Sequence, residues 1–234
     1  MKNALYFFCI FLLIVSCKEK NKNSSLENVV ENNHNKNCEN TIDYGDRTFC
    51  LPMIEGYTEA YKNPAFKKRA DAFEDKQNVT LAYYVTNELY SKADILDTIS
   101  YDDFYKVYVS KMAKNYAMTQ TEMSEVMNAM TGGMLEKTVD DLKKEGTLTN
   151  KLSINNPVLV NKFKPHYDAL GAIVLMEMFS EYETKTLALS MNTILVKNRL
   201  VFVAHYLDYK DEDTFNTLKK NTENFIATFI EANK

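Results

Sequence analysis

Residues 184–207 of the chain read TKTLALSMNTILVKNRLVFVAHYL. Two stretches rich in β-branched and large apolar residues, 184–196 and 200–207, flank the tripeptide 197–199. The central Asn198 of this tripeptide tolerates the positive φ that a tight hairpin turn requires. The second stretch is apolar on both faces, as in strands that are covered on each side. The sequence therefore predicts a β-hairpin whose second strand lies in the interior of a sheet.

A long amphipathic helix is predicted directly after this hairpin. Asp211 or Asp213 can cap its start, and apolar residues recur three and four positions apart as far as Ala232. A helix packed on a largely antiparallel sheet is typical of the α+β fold class. The stripe that we expect to be buried consists of Phe215, Leu218, Phe225, Ile226 and Phe229.

Further strands are indicated upstream of the hairpin. Residues 78–86 and 167–179 are rich in side chains that favour strands. Residues 152–162 are also apolar, and Pro157 places them at a sheet edge because proline cannot donate a ladder hydrogen bond.

Two short strands are predicted to pair with each other nearer the start of the chain. Residues 47–51 and 57–61 flank a turn that contains Pro52 and Gly56. The charged stretch 62–77 that follows predicts a loop or a single helical turn.

Three helices are predicted in the middle of the chain. The first starts at Ser100, a good N-cap residue, and the second runs from near Thr121 to the glycine pair 132–133. The third covers residues 134–144. The stripe of the first helix consists of Phe104, Val107, Tyr108 and Met112.

The order of the final elements, from Thr184 to the terminal helix, resembles the end of PsbP-like and DcrB-like domains. Residues 49–52 (FCLP) with Gly56 resemble the opening hairpin of those domains, although the tryptophan often found there is absent. In outline the resemblance covers residues 48–234. It implies a single α+β domain of a kind that mostly serves in binding or assembly, and fold alone does not confer function.

The first residues have the pattern of a secretory signal peptide, which we assign to 1–16. Lys2 supplies the positive charge, and residues 4–15 form an uncharged apolar run that is too short to cross a bilayer as a helix. Residues 14–17 (IVSC) resemble a bacterial lipobox. The resemblance implies cleavage before Cys17 and attachment of diacylglycerol and an acyl chain such as palmitate. The alternative is an ordinary secretory signal with a chance cysteine.

The predicted mature chain consists of the acylated cysteine and a tether, residues 17–47, and one domain, residues 48–234. Residues 18–37 contain seven asparagines and few apolar side chains, which predicts a flexible tether with an r.m.s. span of roughly 25 Å. Lys18 and Glu19 do not resemble the aspartate of inner-membrane retention signals, so the predicted location is the outer membrane. The run 18–20 partly resembles surface-export signals of Bacteroidota lipoproteins, and exposure on the periplasmic face or on the cell surface stays open.

Two cysteines of the mature chain are predicted to form a disulfide. Cys9 leaves with the signal peptide, and Cys38 and Cys50 remain in an oxidising compartment. A metal site is the alternative reading, and it would need further ligands, of which only His34 lies nearby.

Composition and motifs argue against several function classes. The formal net charge is -4, and no cluster of Lys and Arg provides the positive surface that nucleic acid requires. The sequence has no phosphate-binding glycine loop, dinucleotide fingerprint or zinc-protease pair. We therefore expect no cofactor, no metal, no nucleic-acid partner and no enzymatic activity.

Four methionines are candidates for a ligand or partner surface. Met123, Met127, Met130 and Met134 recur at spacings of four, three and four, which places them on one helical face unless the glycine pair breaks the helix. Such a stripe can be core, can contact apolar peptides or lipids, or can bind Cu(I) through its thioethers. The sequence leaves these three readings open.

His166 and His205 are the candidates for catalytic chemistry. His205 shares a strand face with Val201 and Val203, which favours a hydrogen-bonded histidine of the core or sheet. A dyad with Ser180 or Ser190 is the alternative, although neither serine is flanked by the glycines of a nucleophile elbow.

Three acidic groups could be read as calcium ligands or as paired carboxylates. They are 102–103, 140–141 and 208–213, and all three lie where helices are predicted to begin. The last group lacks the central glycine and the distal glutamate of an EF-hand loop. Helix capping and the helix dipole therefore explain these residues without a bound ion.

The sequence thus indicates an envelope lipoprotein whose α+β domain binds a protein partner or an apolar ligand. An immunity or assembly factor is a special case of this function. An envelope hydrolase that uses His166 or His205 is the second hypothesis, and a copper-handling protein is the third.

Replacement of the predicted acylation site tests the proposed membrane attachment. We expect Cys17→Ser to be released from membranes or to stay unprocessed, because serine cannot carry the thioether-linked lipid chains that hold the protein at the bilayer. Cys9→Ser is the matched control and should fractionate as the wild type does. Membrane fractionation with mass measurement gives the result, and a Cys17→Ser protein of processed mass in the membrane fraction would contradict the prediction.

Overall fold

The computed structural model describes residues 38, 40–72, 75–93, 103–134, 152–180 and 184–234. Seven of the nine described strands form one antiparallel sheet, and the other two form a separate two-stranded hairpin. The strands are β1 (Asn40–Tyr44), β2 (Arg47–Leu51), β3 (Tyr57–Glu59), β4 (Asn78–Thr86), β5 (Asp103–Ser110), β6 (Leu152–His166), β7 (Ala169–Ser180), β8 (Thr184–Val196) and β9 (Arg199–Asp208). The helices are α1 (Pro64–Ala72), α2 (Asn87–Tyr90), α3 (Gln120–Ala129) and α4 (Asp213–Ala232).

The hairpin of β8 and β9 lies in the interior of the large sheet, whose strand order is β3-β4-β5-β9-β8-β7-β6. Lys197 and Asn198 form its turn with φ of 49° and 61°. This confirms the predicted hairpin, and two successive residues of positive φ are typical of a type I′ turn. The structure is an α+β fold with a large antiparallel sheet, helices packed on it and a C-terminal helix.

Helices cover both faces of the sheet. Helix α4 and the β1–β2 hairpin pack on one face, where Tyr105, Val203 and Phe225 are fully buried. Helices α1 and α2 cover the other face near β4, and α3 covers it near β7 and β8. The sheet is therefore the middle layer, and its two faces form separate apolar cores.

Helix α4 supplies most of the first core. Four of the five predicted stripe residues are buried, and Phe215 is partly buried. Each fully buried aromatic or aliphatic side chain contributes about 1.5–3 kcal/mol to stability. The predicted capping by Asp211 or Asp213 is wrong, because the N-cap residue is Glu212, which makes no side-chain capping hydrogen bond. The Thr214 hydroxyl instead accepts hydrogen bonds from the N–H groups of Lys210 and Asp211. The buried residues of the predicted stripe are Leu218, Phe225, Ile226 and Phe229.

The first predicted helix is wrong, because residues 103–110 form strand β5. Tyr105, Val107 and Val109 alternate with residues that face the other side of the sheet. Apolar side chains occupy both faces here, so residues three and four apart coincide with a helical stripe even though the period is two. The β-branched and aromatic content of the segment favours the strand.

The pairing predicted for the first two strands is also wrong. Strand β2 pairs with β1, whose residues 40–44 fall within the predicted tether. Strand β3 pairs with β4 instead. Residues 64–72, within the stretch predicted as a loop or single turn, form α1.

Two further predictions are confirmed. Strand β6 lies at the edge of the sheet, as Pro157 indicates. Helix α3 begins at Gln120 with a capping box of Thr119 and Glu122, and it passes into a π-turn over Met130–Met134. Most of the predicted helix 134–144 lies outside the described residues.

The two ends of the domain meet beside a disulfide. Cys38 and Cys50 are bonded to each other. The Asn233 side chain accepts a hydrogen bond from the Cys50 N–H at 2.7 Å and donates to the Cys50 carbonyl at 2.9 Å. It also donates to the Phe229 carbonyl at 2.9 Å. One buried amide thus joins β2 to the end of α4.

Within the part of the chain that the structure describes, none of the helices is both long and apolar enough to span a membrane.

Removal of the Asn233 amide should destabilise the domain. Asn233→Ala leaves the buried N–H and C=O groups of Cys50 without this partner, which we expect to lower the free energy of unfolding by roughly 2–4 kcal/mol. Asn224→Ala removes an exposed amide from the same helix and should change it by less than about 0.5 kcal/mol. Urea unfolding of both variants measures the difference, and equal stabilities would disprove the role of the Asn233 side chain.

Candidate functional site

A chain of polar side chains lies between the sheet and α4, centred on His205. His205 Nε2 lies 2.9 Å from Asp103 Oδ1, and Nδ1 lies 3.2 Å from Thr222 Oγ1. The Tyr57 hydroxyl donates a hydrogen bond of 2.7 Å to Asp103 Oδ2. The Tyr105 ring stacks on the imidazole at a centroid distance of 3.8 Å. Strands β3, β5 and β9 and helix α4 each contribute to this cluster.

The His205 imidazole is held in its neutral form. Burial lowers the pKa of His205 below its usual value of 6.5, and the Asp103 carboxylate opposes that shift. Because an ionised carboxylate only accepts hydrogen bonds, the contact with Asp103 favours the tautomer that has the proton on Nε2. In that tautomer Nδ1 can accept from the Thr222 hydroxyl, and the Leu218 backbone also lies beside the imidazole. Burial is also the main cause that raises the pKa of Tyr57 and of Tyr105.

This cluster has the components of a hydrolytic triad, because a carboxylate, an imidazole and a hydroxyl are hydrogen-bonded in sequence. His205 and Thr222 are both 0% exposed, however, and α4 lies over them. A substrate carbonyl cannot reach Thr222 Oγ1 in this conformation. The cluster therefore acts as a satisfied polar network that fixes the position of α4 on the sheet.

The serines predicted as dyad partners do not contact His205 in the described structure. Ser190 lies opposite His205 on β8, but its hydroxyl is hydrogen-bonded with the Asn192 side chain. Ser180 ends β7, and its side chain lies outside the described residues. Asp103 and Thr222 take the places expected for an acid and a hydroxyl, and no spacing in the sequence links either of them to His205.

His166 lies in a different place, in an open groove of about 620 Å³. Its Nδ1 accepts a hydrogen bond of 3.1 Å from the Asp168 N–H. The groove separates the β6–β7 turn from the end of α4, and Met53 on its rim is exposed. Its lining consists of Pro52, Met53, His166, Ala227, Thr228, Glu231 and Ala232.

The methionine stripe lies mainly in the protein interior. Met123 and Met127 are buried, on a helix that packs on β7 and β8, and Met130 packs on the neighbouring apolar cluster. The side chain of Met134 lies outside the described residues. A copper ion or an apolar ligand would have to displace the packing of α3 to reach the first two sulfur atoms.

The predicted helix-capping role is wrong for Asp103, which begins strand β5, and Asp208 is the last residue of β9 rather than part of a helix start. Asp103 contacts His205, and Asp208 forms an ion pair of 2.9 Å with Lys185. Residues 102 and 140–141 lie outside the described residues. Among the residues described, no three or more His, Cys, Asp or Glu side chains are placed to hold a metal ion.

The exposed surface that sequence reasoning missed lies on β6. Val158, Leu159 and Val160 are three consecutive aliphatic residues with between 41% and 57% of their surface exposed. The outer side of β6 has no partner among the described strands. Pro157 indicated a sheet edge, but an edge can be covered by other segments, and sequence does not reveal which one is left open.

Comparisons with known proteins give little further information. No protein-family model matches the chain, and no curated protein matches it. The Saccharomyces cerevisiae Ran-binding protein Mog1p is similar with a TM-score of 0.37 and 9% identity, over 82% of this chain and 94% of that chain. A mutant of protein Mog1 gives the same values. These structures are not of the PsbP-like or DcrB-like domains that the sequence resembles, and a likeness at this level says nothing about binding.

Titration of the buried histidine predicts a loss of stability in mild acid. Below about pH 6.5 the unfolded chain binds a proton at residue 205 that the folded chain does not, so the free energy of unfolding falls between pH 7 and pH 5. We expect His205→Gln to reduce this slope by up to about 1.4 kcal/mol per pH unit.

The measurement is urea unfolding at pH 7, 6 and 5, with His166→Gln as the matched control. The control leaves the buried imidazole in place and should retain the wild-type slope. Parallel pH dependences for the wild type and His205→Gln would contradict the neutral, buried state of His205.

Proposed function

We propose that this chain is an acylated lipoprotein of the bacterial cell envelope, attached through Cys17, whose α+β domain binds a partner protein along the edge of β6. The signal-peptide pattern and the lipobox resemblance of residues 14–17 support the attachment. We place it at the outer membrane because residues 18–19 lack an inner-membrane retention signal. The domain resemblance to PsbP-like and DcrB-like proteins is part of this proposal and agrees with a binding or assembly role.

The exposed aliphatic run of β6 is the observation that carries the proposal. An edge strand presents unpaired backbone N–H and C=O groups, which an extended segment of another protein can satisfy as an added strand. Val158, Leu159 and Val160 add apolar surface to that edge. A partner strand therefore gains backbone hydrogen bonds and apolar contacts at the same place.

The surroundings of this run restrict which segment can bind. Pro157 precedes it, and the β6–β7 register shifts between Leu159 and Asn161 and again after Phe163. Proline, bulges and lysines protect natural sheet edges from indiscriminate pairing. Residues 157–166 contain two lysines and no acidic residue. The partner segment should therefore be short and extended, with aliphatic side chains next to acidic ones.

The geometry favours this function over the two alternatives. Hydrolysis requires access to a hydroxyl beside an imidazole, and Thr222 and His205 are both fully buried. Copper binding requires access to the thioethers, and Met123 and Met127 are buried as well. An immunity factor remains within the proposal, since it would also act by binding a protein partner.

Substitutions on β6 test the docking edge. A photoreactive amino acid at position 159 should cross-link the partner in the native envelope and identify it. With that partner purified, we expect Leu159→Pro and Leu159→Lys to weaken binding at least tenfold, because a proline or a charge blocks strand addition. Tyr90→Lys places the same charge at an exposed aromatic position of α2 and should bind within twofold of the wild type.

Hydrogen exchange provides the second readout of this test. Binding should protect the amides of residues 158–163, and thermal unfolding verifies that each variant is folded. Wild-type affinity in both position-159 variants, or cross-linking that is no stronger from position 159 than from position 90, would rule out β6 as the docking edge.

A further inference from the structure

One end of the sheet brings together three separate segments of the chain, and we call it the turn end: residues 111–118, 167–168 and 197–198. The Met118 N–H donates to the Asn198 carbonyl at 3.0 Å. The Gln120 side chain, at the start of α3, donates to Asp168 Oδ1 at 2.8 Å. These bonds hold the segment after β5 against the β6–β7 and β8–β9 turns.

The β1–β2 turn completes this end. Gly45 has a φ of +66°, and a Cβ atom there would lie 2.2 Å from the Lys114 carbonyl oxygen. Only glycine permits both the positive φ and this close approach. The Tyr44 hydroxyl donates to the Ser110 carbonyl, so the hairpin is fixed on the segment that follows β5.

Large apolar side chains are exposed at the turn end. Met112 is 55% exposed, Tyr116 is 47% exposed and Tyr167 is 70% exposed. They come from two segments far apart in sequence that both lie at the turn end. Tyrosine combines an apolar ring with a polar hydroxyl, and it is enriched where proteins meet the headgroup region of a bilayer.

Three lysines lie at the same end, and none of them forms an ion pair with a carboxylate among the described residues. The ammonium group of Lys111 donates to the Lys76 carbonyl, and that of Lys197 donates to the Thr48 carbonyl at 2.8 Å. Lys114 is exposed in the same segment as Lys111 and adds a third positive charge. A bond to a carbonyl satisfies an ammonium donor and leaves its charge in place.

The acidic side chains at this end already have partners. Asp46 forms an ion pair of 2.6 Å with Arg199. Glu122 accepts hydrogen bonds from the Tyr116 hydroxyl and from Thr119. Asp168 accepts from the Gln120 side chain, as described above, and Asp75, next to the start of β4, accepts from the Gln77 N–H at 2.7 Å. The ion pair neutralises Asp46, whereas the other three carboxylates accept from neutral donors and keep their charge. Lys164, whose ammonium lies 5.0 Å from the Tyr167 ring centroid, joins the three lysines above, so lysines next to the exposed rings are the groups that attract an anionic surface.

We propose that the turn end docks on the anionic surface of the bilayer that holds the Cys17 lipid. This inference rests on the acylation proposed above. Lysines at a negatively charged surface and tyrosines at headgroup level are the two features that such a surface selects. The occupant is thus a lipid surface of phosphate-bearing headgroups.

The attachment point lies within reach of that surface. The described chain begins at Cys38, and β1 covers the distance from there to the turn end in about 17 Å. Residues 18–37 span at most about 70 Å when extended. Attachment raises the local concentration of the domain at the bilayer, so weak contacts suffice to orient it.

The test uses the mature chain, residues 17–234, on vesicles of phosphatidylethanolamine and phosphatidylglycerol in a 3:1 ratio. Cys17 is its free thiol, because Cys38 and Cys50 are bonded, and it is coupled to a maleimide lipid. This coupling supplies the anchor, so the result does not depend on acylation in the cell, which Cys17→Ser tests separately.

The chain contains no tryptophan, so single reporters are unambiguous. Tyr167→Trp and Tyr116→Trp report from the turn end. Tyr90→Trp is the matched control from α2, which follows the opposite end of β4. Brominated acyl chains quench only a tryptophan that reaches the bilayer.

We expect the two turn-end reporters to shift to shorter emission wavelengths and to be quenched at least twofold more than the Tyr90→Trp reporter. Lys111→Glu combined with Lys114→Glu, or replacement of phosphatidylglycerol by phosphatidylcholine, should reduce the quenching of the Tyr167→Trp reporter at least twofold. Circular dichroism verifies the fold of each variant.

Three results would overturn the proposal. Equal quenching at all three positions would mean that the domain has no preferred orientation on the bilayer. Stronger quenching at position 90 would mean that the α2 end, and not the turn end, faces the bilayer. A blue shift at positions 116 and 167 without quenching by brominated lipid would assign the turn end to contact between copies of the chain.

Discussion

The packing of α4 on the central strands is the interaction on which the rest of the structure depends. Phe225 stacks on Tyr105 at a centroid distance of 4.3 Å and meets Tyr84 edge to face at 5.2 Å. His205 and Thr222 join the same helix to the sheet by a hydrogen bond inside this apolar layer. Burial of the apolar side chains supplies most of the free energy that holds α4 on the sheet. The polar contact fixes the rotation and position of the helix, because a shift would leave a buried polar group unpaired, which is costly.

The division of the surface follows from that packing. Because α4 and the hairpin cover one face and the shorter helices cover the other, the described part of the sheet is accessible mainly at its edge strands and its ends. The β6 edge and the turn end each expose several large apolar side chains of the described residues. The β6 edge runs along the strand direction, and the turn end lies across the ends of the strands. A domain that docks on a membrane through its turn end would therefore leave β6 accessible to a partner.

The sequence correctly predicts the elements whose pattern of apolar residues fits only one type of secondary structure. These elements are strands β8 and β9, the turn at Asn198 and the buried stripe of α4. Each has a regular apolar pattern that ends at a recognisable residue. The pattern of residues 103–110 wrongly predicts a helix, because both faces of β5 are covered and the alternation that identifies a strand is absent. The contact between His205 and Asp103 links positions 102 residues apart, and local pattern carries no information on such pairs. Exposure of β6 depends likewise on what other segments leave uncovered.

The bond between Cys38 and Cys50 has a mechanical consequence. A force that pulls on the N-terminal segment enters the domain at Cys38 and passes through the sulfur atoms directly to Cys50. The hairpin enclosed by this bond lies outside the loaded path, so β1 cannot be peeled from β2 by tension. The load arrives instead at Cys50, whose backbone N–H and C=O groups are hydrogen-bonded to the Asn233 side chain at the end of α4.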